Sequence, residues 1–157
     1  MTPIEAAVNM ITRSTSRLLA VAMTVAALTL AGGGIANAKP GGVPAIPLNN
    51  EQETGMVDTG ASGFLSYDVS GTEFCYTLEV RNLSQPAVAG HIHVGARNAA
   101  GPVVIPLTIG AGTDWTVQTC VAASEALLAN IAANPRDYYV NVHTPAFPGG
   151  EIRGQVK

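Results

Sequence analysis

The sequence predicts an all-β domain, a Greek-key sandwich or barrel of about seven to eight strands with one short helix. Three observations carry that reading. From Ala61 onward apolar and polar residues alternate, the period at which successive side chains leave a strand on opposite faces. Turn residues interrupt the alternation at short, regular intervals, as at Ser70-Gly71, Asn82–Pro86 and Pro145–Gly150. A single segment has helical spacing.

The elements follow in order. Leu65, Tyr67 and Val69 alternate with Ser66 and Asp68. After the turn, Phe74, Tyr76, Leu78 and Val80 alternate with Glu73, Cys75, Thr77 and Glu79, and the pair reads as a β-hairpin. Ala89–Gly95 is the next strand and Pro102–Ile109 the one after it. Pro106 assigns the latter to a sheet edge or a bulge, because proline has no N–H for the ladder. Asp114–Val121 alternates again. Ala123–Ala133 is the helix, with Ser124 as N-cap, Leu127, Leu128 and Ile131 as its apolar stripe, and Asn134-Pro135 as its stop. Tyr138–Thr144 and Glu151–Val156 are the closing strands. Of the two adjacent tyrosines, one is expected in the core and Tyr139 or Tyr138 at the surface.

The N-terminus carries the parts of a secretory signal, expected over residues 1–38. Arg13 and Arg17 provide positive charge, Leu18–Ala31 is an uncharged apolar run of 14 residues, and Ala36-Asn37-Ala38 is a small-x-small cleavage pattern. The run is shorter than the ~20 residues of a spanning helix, so export with no membrane span after cleavage is expected. Retention as an anchor is the alternative, and no cysteine lies near the cut to accept a lipid. Residues 39–60, rich in Pro and Gly, read as a flexible leader with a first short strand near its end. The domain proper is expected over 61–157.

The expected mature chain has six basic residues against ten acids. Without basic patches for phosphate it is not a nucleic-acid binder. Cys75 and Cys120 both survive cleavage and reach an oxidising compartment. A disulfide between them is expected, with two buried thiols as the alternative. No nucleophile elbow, P-loop or dinucleotide fingerprint appears in the mature chain, so no catalytic residue is assigned and a non-enzymatic role is expected.

All three histidines fall on strands. Ile92 and Val94 share one face of theirs and His91 and His93 the other. Val140 and Val142 oppose Tyr139, Asn141 and His143, and Ile152 opposes Glu151 and Arg153. With the β-branched residues in the core, the histidines lie on the outer face. If the three strands are neighbours, ~4.8 Å apart, His91, His93 and His143 can converge on a copper or zinc ion, with Asn141, Glu151 and Arg153 as a polar binding patch. The alternatives are a hydrogen-bonded structural patch, with Arg153 paired to Glu151 or Asp137, and a pH sensor.

The order Gly90-His91-Ile92-His93-Val94-Gly95, then Gly101-Pro102-Val103-Val104, then Tyr138–Thr144, then Pro148-Gly149-Gly150-Glu151-Ile152-Arg153-Gly154-Gln155 resembles the CHRD domain, a family named for chordin and found in secreted bacterial proteins. The resemblance implies an immunoglobulin-like β-barrel with a distant likeness to copper/zinc superoxide dismutases. It implies no enzymatic activity: bacterial members have none settled, and the domains of chordin belong to an extracellular antagonist of a signalling ligand. A dismutase copper site uses four histidines, and this chain has three, which argues against dismutase activity. The expected role is that of a secreted or cell-envelope binding or structural module for an extracellular protein or other ligand. Copper or zinc binding through the three histidines is the alternative.

Overall fold

The computed structural model describes residues 45–55 and 57–157. The expected signal segment 1–38 and residues 39–44 of the Pro/Gly segment after it lie outside these residues. The described chain forms one antiparallel sheet of eight strands, ordered β5-β4-β7-β8-β1-β2-β3-β6 and curled into a nearly closed barrel. The strands are β1 (Ile46–Asn49), β2 (Ser62–Ser70), β3 (Glu73–Arg81), β4 (Ala89–Val94), β5 (Val103–Leu107), β6 (Trp115–Ala122), β7 (Tyr138–His143) and β8 (Ile152–Gln155). Helix α1 (Glu125–Ala133) links β6 to β7. The Ser124 hydroxyl accepts the Leu127 N–H as the N-cap, and Leu128 and Ile131 are buried.

Alternation accounts for the core. Leu65, Phe74, Leu78, Ile92, Val140, Val142 and Ile152 are fully buried in one apolar cluster. β2 and β3 pair in register from Ser62–Arg81 to Ser70–Glu73 around the tight Gly71 turn. Cys75 and Cys120 stand directly opposite each other on β3 and β6 and are joined by a disulfide. β5 is an edge, as Pro106 requires, and its register with β4 shifts between Ile92 and His93. Tyr76 of β3 ties the segment after β5 back to the other end of the sheet: its hydroxyl accepts the Thr108 N–H at 2.6 Å and donates to the Thr108 carbonyl at 3.1 Å.

The structure corrects one boundary. Much of the segment read as leader belongs to the domain: Ile46 and Leu48 are buried, and β1 fills the place between β2 and β8. Ile46 and Leu48 alternate with Pro47 and Asn49, but a four-residue strand containing proline carries too little pattern to stand out. Pro47 is tolerated because β1 pairs with β8 only through Asn49–Arg153. After β1 a short 3-10 turn (Asn50–Gln52) brings Gln52 and Glu53 back against the sheet, where both are buried. Among the described residues no helix is long and apolar enough to cross a membrane.

Candidate metal centre

β4, β7 and β8 are consecutive in the sheet, so the polar face anticipated from strand parity exists as one surface. His91, Asn141 and Arg153 form one cross-strand row, and His93, Tyr139 and Gln155 the next. His143 lies two residues along β7 from Asn141. The face is turned away from the apolar core, but it is not an open surface. β7 is buried at every position, and His93 and His143 are 7% and 9% exposed while His91 is half-buried. Hydrogen bonds tie three covering segments to this face: the one around Glu53, the loop before β5 and the loop before β8.

Those covering loops set the imidazoles. His93 Nδ1 lies 2.9 Å from the Gly101 carbonyl oxygen and His143 Nδ1 lies 3.0 Å from that of Pro148. A carbonyl accepts only, so each Nδ1 carries the proton and donates it, which leaves each Nε2 as a lone pair. His91 Nδ1 approaches His143 Nε2 at 3.1 Å. One ring nitrogen from each histidine lies within 4.8 Å of the other two. Three points so spaced share a common point no more than about 2.8 Å from each, close to a metal–imidazole bond of about 2.0–2.1 Å. The His93 Nε2 is buried and has no hydrogen-bond partner.

Electrostatics keep the three rings neutral. Burial lowers the pKa of each histidine below its ordinary value. For His93 the Gly101 carbonyl opposes this shift, whereas His91 and Arg153 add to it. For His143 the Pro148 carbonyl opposes it and the other two histidines add to it. Neutral imidazole is the form that binds a metal.

Tyr139 is no surface residue: it is buried, as is Tyr138. Its ring stacks on His93 with centroids 4.7 Å apart and planes 7° from parallel, and the Arg153 guanidinium lies 3.3 Å from its centroid. The Tyr139 hydroxyl accepts the Gly101 N–H at 3.0 Å. Gly101 has no room for a side chain, since a Cβ there would stand 1.6 Å from the Val94 carbonyl oxygen. Bare backbone lets its carbonyl reach His93.

The candidate patch residues divide. Arg153, 1% exposed, donates to the carbonyls of Ala99 and Ala96 at 3.0 and 2.8 Å. It makes neither of the anticipated pairs with Glu151 or Asp137; among the described residues the one ion pair is Arg81–Glu79 on β3. Asn141 donates from Nδ2 to the Glu53 carboxylate at 3.2 and 3.3 Å. Glu151, fully buried, points into a separate polar knot. Its carboxylate accepts from the Ser84 N–H at 2.7 Å and from the hydroxyls of Thr59, Ser84 and Thr144 at 2.8, 2.9 and 2.8 Å. It therefore staples loops and takes no part in the histidine cluster.

Strand parity alone did not point to Glu53. Burial raises its pKa to about 7, against the opposing pull of Arg153 and of the Asn141 hydrogen bond. The signal that could have drawn attention to it is the alternation of Ile46 and Leu48 just upstream, which makes a strand of the supposed leader.

The CHRD domain family matches residues 45–156. No curated protein and no solved structure gives a significant match to the chain. The family match opens one residue before β1 and closes one residue beyond β8, so it spans the whole barrel together with all three histidines: the chain belongs to the CHRD domain family.

Proposed function

We propose that the protein is an exported, non-enzymatic binding module that holds one transition-metal ion, copper or zinc, on His91, His93 and His143. Membership of the CHRD family points to a binding or structural module. The disulfide and the absence of a membrane-crossing helix among the described residues are compatible with an extracellular setting.

One observation carries the metal reading: His93 Nε2 is buried without a partner while its Nδ1–H is committed to Gly101. A buried acceptor left unpaired costs about 1–3 kcal/mol. The hydrogen-bonded alternative satisfies His91 and His143 through each other and leaves that cost standing. A metal ion removes it and uses the same tautomer. The Gly101 and Pro148 carbonyls that accept from Nδ1 of His93 and His143 are of the kind that orient metal-bound histidines. Three neutral nitrogens with a half-buried member suit copper or zinc with a further position for solvent or a partner's donor atom.

Calorimetric titration of the purified, chelator-treated protein with Zn(II) and with Cu(II) tests the proposal. It expects one ion per chain and loss of binding in the His93→Ala variant. Absence of binding by either ion rejects it. N-terminal sequencing of the secreted protein tests export, with a mature start near Lys39 expected.

A further inference from the structure

We infer that the three-histidine centre is an exchange site, which takes up and releases its ion through His91 while the barrel stays folded. The inference rests on the metal reading above and adds how the site is used: as a carrier of a transition metal rather than as a structural staple.

The three ligands are not equivalent. His93 and His143 are buried, and a backbone carbonyl holds the second nitrogen of each. His91 is half-buried, more exposed than the other two, and its sole side-chain hydrogen bond among the described residues is the one to His143. Two ligands are thus fixed from behind, and the third lacks the outer-shell anchor that normally sets a metal-bound ring. The ring without that anchor is also the most exposed of the three.

The metal-free state is built to persist. Ile92, Val140, Val142 and Ile152 turn to the apolar core on the opposite side of the same strands and are fully buried. The Cys75–Cys120 disulfide constrains the far edge of the sheet. Domains that need a structural metal lack such a core and are unfolded without the ion. Here the ion removes one unpaired nitrogen and adds no core.

Release then proceeds by ligand exchange. A donor atom on the acceptor, an imidazole or a carboxylate, enters the open coordination position. The bond from the metal to His91 Nδ1 breaks, and the ring passes its proton from the solvent-side Nε2 to Nδ1 through water. Further donor atoms of the acceptor displace His93 Nε2 and His143 Nε2 in turn, the ion leaves with the acceptor, and Nδ1–H then donates to the freed His143 Nε2, the 3.1 Å contact in the structure. The neutral ring changes tautomer with no net proton uptake and no change in oxidation state.

The test measures zinc release from the loaded full-length protein into excess EDTA, alongside the unfolding rate in the same buffer and the circular dichroism of the metal-free protein. The inference expects a folded metal-free protein and release much faster than unfolding. It also expects His91→Ala to weaken zinc binding yet leave it measurable on the two anchored rings, while His93→Ala and His143→Ala abolish it. His93→Gln and His143→Gln repeat the comparison if either alanine variant is misfolded. Release at the unfolding rate, an unfolded metal-free protein, or equal damage from His91→Ala and the buried-histidine variants overturns the exchange site and leaves the metal reading standing. A protein that binds no ion overturns both.

Discussion

Gly101→Ala probes the loop that sets His93, and its cost can be worked from the geometry. The added Cβ would lie 1.6 Å from the Val94 carbonyl oxygen and 2.8 Å from the Val94 carbonyl carbon, so backbone must yield. Movement of the loop by more than an ångström breaks the bonds it makes: His93 Nδ1–H to Gly101 O at 2.9 Å, Gly101 N–H to the Tyr139 hydroxyl at 3.0 Å, and Val94 N–H to Pro102 O at 3.1 Å. At about 1 kcal/mol for each hydrogen bond the loss is about 3 kcal/mol. For a domain of this size the melting temperature falls by about 10 °C. Thermal denaturation followed by circular dichroism, in chelator, reads the stability. A zinc titration reads the second effect, an affinity lower by about 10- to 100-fold through the lost outer-shell bond. A melting temperature within about 2 °C of the parent with unchanged zinc affinity would refute the role given to this loop.

Two further perturbations address the buried carboxyl and the cross-link. The Glu53 carboxyl titrates near pH 7 in the folded protein against 4.5 ordinarily, so the folded state holds a proton that the unfolded state has released between those values. Its contribution is fully present below about pH 4.5 and is lost as pH rises through 7, a change of about 3 kcal/mol. Glu53→Gln keeps the neutral shape, so relative to the parent it should gain about that much between pH 5 and pH 8. Urea denaturation in chelator at the two pH values checks this, and an equal difference at both would show that Glu53 is not buried as described. The histidines run the other way: their pKa values are lowered by burial, so their contribution is lost as pH falls below their ordinary 6.5. Joint replacement of Cys75 and Cys120 by alanine opens a loop with a sequence separation of 45 and should cost up to about 4 kcal/mol, mainly by freeing the unfolded chain. The urea midpoint measures the loss, and an unchanged midpoint would count against it.

The parts of the fold legible in the sequence are those decided locally. The run Phe74–Val80 states its own inward face, Pro106 states its edge, and Ser124 with Asn134-Pro135 brackets the helix. The convergence of the histidines was legible for the same reason: once β4 and β7 are neighbours, parity puts all three on one face. What could not be read is what covers that face. Burial of Arg153, Asn141 and His143 depends on where residues 45–55 and the two loops settle, and those are long-range contacts with no periodicity of their own. The same cause left β1 poorly placed: a short strand was expected nearer the end of the 39–60 segment, and the inward residues of β1 number only two, Ile46 and Leu48. Parity also grouped Glu151 with Arg153. Glu151 lies one residue before β8 and its carboxylate bonds Ser84, Thr59 and Thr144 instead.

The proposed metal site turns on His93 Nε2, buried without a hydrogen-bond partner. Metal titration of the chelator-treated protein beside its His93→Ala variant tests that most directly. The account predicts one Zn(II) or Cu(II) per parent chain, a raised melting temperature on loading, and neither effect in a folded variant. A parent protein that binds no ion, or a variant that binds as well as the parent, would contradict it.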